Sequence, residues 1–115
     1  MKENVIVDKS FAFAVKIVKL YQKLVSESKE YVLSKQLLRC GTSIGANIEE
    51  AVGGISKRDF IAKLQISYKE ARETKYWLRL MIETDIISKT DAENLTTDCD
   101  ELIKIIVAII KTSKG

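Results

Sequence analysis

Few residues of this chain combine types and spacings that could perform chemistry. The 115 residues include no histidine, so the commonest general base and nitrogen ligand for a metal is missing. Carboxylates form two close pairs, Glu49 with Glu50 and Glu70 with Glu73, but no nucleophile or metal-ligand pattern accompanies them. We therefore interpret both pairs as solvated helix surface, and we predict no enzyme activity, no metal site and no cofactor.

A glycine pair followed by basic residues could bind phosphate. Gly53-Gly54 precedes Ser56-Lys57-Arg58, and the backbone N–H groups at a helix N-terminus can hold an anion. No strand precedes this stretch and the spacing is not that of a P-loop. The pattern favours a turn that ends one helix and begins the next.

The basic residues form the pattern most suggestive of binding. Lysines occupy a narrow arc of the first predicted helix, and a basic flank of the third lies near Tyr68 and Tyr76. Basic residues interleaved with aromatics can hold a phosphate backbone and stack bases. A lysine row is also the ordinary polar face of an amphipathic helix, so solubility is the alternative. The candidate nucleic-acid-binding residues are Lys9, Lys16, Lys19, Lys23, Lys57, Arg72, Lys75 and Arg79.

Four helical patterns must position these residues. Without proline and with only five glycines, long uninterrupted helices are allowed. Ser56 is a good N-cap, and Thr90-Asp91-Ala92-Glu93 matches a capping box. After an N-terminal arm at Met1–Val7, we predict helices over about Ser10–Ser26, Lys29–Val52 (entered through Ser28), from just after Ser56 to about Thr84, and Thr90–Thr112. The short connections favour one all-α domain over residues 1–115, an antiparallel up-down-up-down four-helix bundle.

Small residues mark a close helix contact. Gly41 and Gly45 of the second helix are expected opposite Ser67 and Ala71 of the third, whereas Ala92 is expected in an exposed first turn. A polar row on the second helix includes Asn47, whose helix propensity is low. We interpret Asn47 as a structural residue that fixes helix register by hydrogen bonding, with a ligand contact as the alternative.

The apolar arcs of the first and fourth helices are wider than the roughly 100° that a surface helix needs. Because large exposed apolar patches usually mark interfaces, we predict self-association, with a well-packed monomer as the alternative. The candidate interface residues are Phe13, Ile17, Leu20, Leu24, Ile66 and Trp77. The first helix has a second apolar face, formed by the row that contains Phe11, beside the face formed by Phe13, Ile17, Leu20 and Leu24.

Two further features concern the compartment. Cys40 and Cys99 lie in helical patterns without metal-ligand spacing, so we interpret them as reduced, buried thiols. The longest apolar run, Ile105–Ile110, falls far short of the roughly 20 residues that cross a bilayer, and no signal peptide is recognisable. We therefore predict a cytoplasmic protein with no membrane partner.

Three stretches carry a family resemblance: Ser43–Glu50 (SIGANIEE), Ser56–Phe60 (SKRDF) and Lys69–Leu80 (KEARETKYWLRL). Together they resemble the four-helix bundle proteins encoded in intervening sequences of bacterial 23S ribosomal RNA genes. Some members of that family form ring-shaped homopentamers. The related accessory variability determinant proteins of diversity-generating retroelements bind nucleic acid through a basic surface. The resemblance therefore implies a homopentamer and suggests RNA or DNA as a partner.

Two functions remain open at this point. One is a non-enzymatic, nucleic-acid-binding oligomer whose basic faces are multiplied by ring symmetry. The other is a protein–protein assembly or adaptor module without nucleic-acid binding, in which the basic residues serve only solubility.

Overall fold

Four long α-helices form most of the part of the chain that the structure describes. The structure is a computed structural model, and it describes the backbone of residues 2–115 and the side chains of residues 5–115. The helices are α1 (Lys2–Lys23), α2 (Val32–Val52), α3 (Lys57–Glu83) and α4 (Lys89–Lys114), and a π-helical turn (Leu24–Ser28) continues α1. Each helix packs against the next, and α4 packs back against α1. This confirms the all-α, antiparallel up-down-up-down four-helix bundle.

The predicted N-terminal arm is wrong over residues 2–7. These residues belong to α1, and Ile6 is fully buried. Helical period is not visible in the run Val5-Ile6-Val7 because all three residues are apolar. Only Ile6 faces the core, while Val5 is exposed and Val7 is half-buried. Met1, the remaining residue of the expected arm, lies outside the described residues.

The start of α2 also differs from the sequence prediction. The π-helical turn closes with Lys29 in the left-handed region, at φ 53°, so the helix cannot continue from Ser28. The Glu30 carboxylate instead accepts hydrogen bonds from the backbone N–H groups of Leu33 at 3.0 Å and Ser34 at 2.8 Å. The Ser34 hydroxyl also bonds to Glu30. Helix α2 therefore begins at Val32 with Tyr31 as its N-cap residue, and the Glu30 carboxylate, rather than Ser28, satisfies N–H groups of its first turn.

The caps of α3 and α4 follow one pattern. Ser56 Oγ accepts a hydrogen bond from Asp59 N at 3.0 Å, as predicted. Ser88 Oγ accepts from Asp91 N at 3.2 Å, so α4 begins at Lys89 and the predicted capping box at Thr90 is wrong. Ala92 lies in the core, at 1% exposed, and not in an exposed first turn as predicted.

The core row of α1 corrects the predicted interface. The row is buried inside the subunit and includes four residues expected on an intersubunit surface. It consists of Ile6, Ser10, Phe13, Ile17, Leu20 and Leu24. A parallel row that begins with Val7 and Phe11 has the same spacing and lies one residue further along. Only one of the two rows can face the core. Because both have the same spacing, helical period alone does not identify the buried row.

The glycines of α2 lie against α1, not against α3 as predicted. A Cβ added at Gly45 would lie 3.3 Å from the Ser10 carbonyl oxygen, and one at Gly41 would lie 3.0 Å from the Ile17 side chain. The contact between α2 and α3 is made differently, because Ser67 Oγ donates a hydrogen bond to the Ile44 carbonyl at 2.8 Å. Helix α2 therefore lies close to both neighbours: its glycines contact α1, and Ser67 of α3 reaches its backbone.

Candidate nucleic-acid interface

The lysine row of α1 faces the acidic side of α4. The pairs are Lys9 with Glu101 at 3.2 Å, Lys16 with Asp98 at 2.6 Å, and Lys23 with Asp91 at 3.0 Å. The hydrogen bond and charge of Asp91 raise the pKa of Lys23. These three lysines, seven residues apart, form an ion-pair ladder along the α1/α4 seam. Most of the positive charge expected on this row is therefore neutralised within the subunit.

The other candidates divide in the same way. Lys75 forms an ion pair with Asp100 of α4 at 2.8 Å. Within residues 5–115, no ion pair involves Lys19, Lys57, Arg72 or Arg79. The structure thus splits the eight predicted basic residues into four that stabilise helix contacts and four whose charges face solvent.

The solvent-facing side of α3 carries a longer basic row than the sequence analysis recognised. Its members are separated by seven, four, three, four and three residues, and all are exposed. We call this set the α3 outer row: Arg58, Gln65, Lys69, Arg72, Tyr76 and Arg79. At 1.5 Å per residue it is about 32 Å long. None of its four cations forms an ion pair with another described side chain.

Sequence reasoning missed Arg58 and Lys69 as members of this row. The signal was present, since counting back in helical steps of three or four residues from Arg79 and Tyr76 reaches Arg72, Lys69 and Gln65, and two further turns reach Arg58. The predicted basic flank of α3 instead combines Lys57 and Lys75 with Arg72 and Arg79. Of those two lysines, Lys75 faces α4, where Asp100 is its acidic partner.

The carboxylates of α3 face α2 and are held by an arginine. Arg39 Nη2 lies 2.6 Å from Glu73 Oε2, and Arg39 Nη1 lies 3.8 Å from Glu70 Oε2. Partial burial raises the pKa of Glu70, although the Arg39 charge opposes that rise. Glu70 and Glu73 are therefore half-buried ion-pair partners rather than solvated surface. Their position leaves the α3 outer row free of negative charge before Glu83.

Two aromatic rings of α3 pack together beside this ion-pair cluster. The Tyr76 and Trp77 ring centroids lie 5.2 Å apart with an interplanar angle of 75°, an edge-to-face contact. Trp77 Nε1 donates a hydrogen bond to Glu73 Oε2 at 3.1 Å, and its ring is half-buried. The Tyr76 side chain is more than half exposed. Tyr76 thus presents an aromatic ring within the basic row.

A surface cavity of about 350 Å³ adjoins Tyr76 at the C-terminal part of α3. Its lining combines an aromatic ring, a guanidinium, two aliphatic side chains and a carboxylate. These residues are Tyr76, Arg79, Leu80, Ile82 and Glu83. The cavity therefore offers apolar, cationic and hydrogen-bond-accepting groups within one volume.

An apolar seam on α1 is left outside the core. It repeats at alternating intervals of four and three residues, a spacing typical of coiled-coil contacts. We call it the α1 outer seam: Val7, Phe11, Ala14, Val18, Tyr21 and Val25. Phe11 is 68% exposed, and a cavity of about 250 Å³ lies beside it over α2. Of the other predicted interface residues, Ile66 is exposed and Trp77 is half-buried.

The remaining polar candidate, Asn47, bonds within its own helix. Asn47 Nδ2 donates to the Ser43 carbonyl at 2.8 Å, one turn earlier in α2. The expected hydrogen bond to another helix is not found among the described residues. Asn47 therefore stabilises α2 locally.

The two cysteines are buried free thiols within the bundle. Desolvation raises the pKa of Cys40 to about 11 and that of Cys99 to about 12, so both remain protonated at neutral pH. Within the described part of the chain, no cluster of His, Cys, Asp or Glu side chains could hold a metal ion. No helix of that part is long and apolar enough to cross a membrane.

These features define a helical bundle with one basic helix face and one unpartnered apolar seam. The chain belongs to the 23S rRNA-intervening sequence protein family, whose model matches residues 2–108, and this confirms the resemblance seen in the sequence. The crystal structure of a protein of unknown function from the S23 ribosomal protein family of Bacteroides thetaiotaomicron is also similar. It is 55% identical, with a TM-score of 0.94 over 96% of this chain and 99% of that chain. A comparison with curated proteins gives no match.

Proposed function

We propose that this protein is a non-enzymatic homo-oligomer of the cytoplasm that binds RNA or DNA through the α3 outer row. The observation that carries the proposal is the arrangement of four cations, Arg58, Lys69, Arg72 and Arg79, along one exposed helix face. Arginine and lysine side chains that are not paired within the protein are available to phosphate oxygens. The free thiols Cys40 and Cys99 are consistent with a reducing compartment.

One subunit alone would bind weakly. Four phosphate contacts give a salt dependence of log K on log[salt] of roughly −3 for a single strand, since each contact contributes about −0.7. That electrostatic attraction is independent of base sequence. Useful affinity at physiological salt therefore calls for several basic faces acting on one strand.

The α1 outer seam is the surface through which we propose that subunits associate. A heptad-spaced apolar row with Phe11 68% exposed matches the kind of surface that a second copy of the same helix covers. The resemblance to ring-forming family members favours a homopentamer. Repeating one basic face around a ring raises avidity by about 10²–10⁴ when the strand can span the sites.

Fluorescence anisotropy with labelled single-stranded RNA, single-stranded DNA and duplex DNA tests the proposal. The test variant replaces Arg58, Lys69, Arg72 and Arg79 with glutamine. The control removes the same number of charges elsewhere by replacing Lys35, Lys104, Lys111 and Lys114, all exposed and outside the α3 outer row. We expect the test variant to lose at least ~10-fold in affinity and the control to bind like the wild type. No binding of the wild-type oligomer to any probe at low salt would overturn the proposal.

A protein–protein assembly or adaptor role is the second candidate. The same exposed α1 outer seam favours it, because an apolar row of this length could receive a helix of another protein. The two candidates differ in what the isolated protein does. A chain that stays monomeric in light scattering and binds no nucleic acid would favour the adaptor role.

A further inference from the structure

We infer that Tyr76 and its adjoining cavity form a base-stacking site, so that the protein takes single-stranded nucleic acid rather than duplex. The inference rests on the proposed function, because it names the substrate class of the α3 outer row. It arises from three separate observations: how the Tyr76 ring is held, what lines the cavity beside it, and which charges flank it.

The Tyr76 ring is exposed yet held in place. Its edge-to-face contact with Trp77 can cover only one face of the ring. Trp77 is itself fixed by its hydrogen bond to Glu73, which Arg39 holds at 2.6 Å. A ring supported in this way loses little conformational freedom when a base stacks on its open face. The entropic cost of ordering the site therefore offsets less of the stacking free energy.

The cavity beside Tyr76 has the lining that an unpaired base requires. Leu80 and Ile82 supply apolar contact, while Arg79 supplies a guanidinium that can stack or bind phosphate. A base inside a duplex is stacked on both faces and cannot enter such a cavity without being unpaired. An unpaired base in a single strand meets no such cost.

The charges around Tyr76 are placed to hold the strand on both sides. Arg72 precedes Tyr76 by one helical turn, and Arg79 follows it by just under one turn. Along the helix axis these distances are about 6 Å and 4.5 Å. A strand that lies along α3 can therefore place phosphates on both arginines while one base stacks on Tyr76.

Glu83 gives the site a preference among bases. Its carboxylate lines the same cavity. When it is ionised, this group accepts hydrogen bonds but cannot donate them. Cytosine, adenine and guanine carry exocyclic amino groups that donate to a carboxylate, whereas uracil and thymine carry a carbonyl oxygen in place of that group and donate only through the ring N3–H. The site should therefore favour cytosine over uracil in otherwise matched strands.

The test uses the wild-type oligomer, the variant Tyr76→Ala and the conservative variant Tyr76→Phe. Tyr31 is exposed to nearly the same extent, 55% against 56%, and does not line the cavity, so Tyr31→Ala is the matched control. The probes are an unstructured oligo(C) RNA, the matching oligo(U) RNA, a single-stranded DNA and a duplex DNA. Anisotropy gives the affinities, and quenching of Trp77, the only tryptophan of the chain, reports binding next to Tyr76.

We expect Tyr76→Ala to lose ~5-fold to 100-fold in affinity for single-stranded RNA and DNA and to bind duplex unchanged. Tyr76→Phe and Tyr31→Ala should bind like the wild type, and Glu83→Gln should reduce the preference for oligo(C). If Tyr76→Ala binds single strands as well as wild type while the variant lacking the four α3 cations does not, the stacking site is wrong and the proposed function stands. If wild type binds no probe at low salt, the proposed function fails and this inference fails with it.

Discussion

Lys16 Nζ of α1 lies 2.6 Å from Asp98 Oδ2 of α4, near the middle of the ion-pair ladder that joins these two helices. The same lysine belongs to the row predicted to bind nucleic acid. The contact with Asp98 gives Lys16 a structural role. A phosphate could bind the Lys16 ammonium only by competing with the Asp98 carboxylate.

The first prediction concerns the strength of this contact. Both side chains are partly exposed, so a double-mutant cycle of Lys16→Gln and Asp98→Asn should give a coupling free energy of about 0.2–1 kcal/mol. Urea unfolding at low and high salt measures it. Because salt screens exposed charges, the coupling should shrink at high salt, and a coupling that is the same at both salt concentrations would contradict this assignment.

The second prediction concerns the α1 outer seam. Phe11→Glu should lower the mass of the assembly toward that of the 13.0 kDa chain and leave the helical content intact, since Phe11 is 68% exposed within the subunit. Val32→Glu is the control, because Val32 is an equally exposed apolar residue, at 72%, outside the seam. Size exclusion with light scattering gives the masses. An assembly that survives Phe11→Glu but dissociates with Val32→Glu would place the interface elsewhere.

The third prediction concerns the close contact between α1 and α2. Gly45→Leu should destabilise the bundle by ~1–3 kcal/mol or more, because even a Cβ at this position would lie 3.3 Å from the Ser10 backbone oxygen. Gln36→Leu, at an exposed position of the same helix, should change stability by less than ~0.5 kcal/mol. Equal thermal midpoints for Gly45→Leu and Gln36→Leu would contradict the close contact.

These corrections show where the sequence was sufficient and where it was not. Helical period and short connections predicted the bundle, because they depend on each helix alone. Which of two adjacent rows of α1 faces inward depends on Gly41 and Gly45 of a different helix, which accept the row containing Ile17. The start of α4 was ambiguous because Ser88 and Thr90 each precede an acidic residue by three positions.

The candidate site was predictable only in part for a related reason. Residue type and spacing identified the basic residues, but whether a lysine is neutralised depends on the register between two helices. Lys16 and Arg72 look alike in the sequence, yet only Lys16 meets a carboxylate in the structure. The cavity beside Tyr76 is lined by side chains of one stretch of α3, residues 76–83, but the residue types alone did not show that they enclose a volume.

The fourth prediction concerns pH. Partial burial acts to raise the pKa of Glu30, but its hydrogen bonds from Ser34, Leu33 and Val32 prevail and hold the pKa below the ordinary value of 4.5. A depressed folded-state pKa stabilises the fold above the unfolded-state pKa and loses that contribution as pH falls through the folded-state pKa. The stability difference between wild type and Glu30→Gln should therefore be larger at pH 7 than at pH 3, as measured by urea unfolding.

Glu70 is the matched contrast for that measurement. Its pKa is raised by partial burial, so its ionisation destabilises the fold as pH rises through the unfolded-state pKa toward the folded-state pKa. Glu70→Gln should accordingly change stability with pH in the opposite direction from Glu30→Gln. If the stability change caused by each substitution varied with pH in the same direction, the pKa values of Glu30 and Glu70 would not be shifted in opposite directions.

The last prediction separates the α3 outer row from the ion-pair ladder by removing equal charge from each. Arg72→Gln with Arg79→Gln deletes two cations that form no ion pair within residues 5–115. Lys9→Gln with Lys16→Gln deletes two that already face Glu101 and Asp98. Since each phosphate contact to a single strand contributes about −0.7 to the salt slope, the arginine variant should flatten that slope by roughly 1.4 per subunit and bind more weakly.

The lysine variant should keep the wild-type slope and lose a small amount of stability instead, because its cations neutralise carboxylates rather than phosphates. Anisotropy with single-stranded RNA across a salt series measures both slopes, and circular dichroism confirms that each variant is folded. If the two variants weaken binding equally, net charge alone attracts the nucleic acid and α3 has no special role. If only the lysine variant weakens it, the binding face lies on α1, and Asp98 and Glu101 must release their partners when the strand binds.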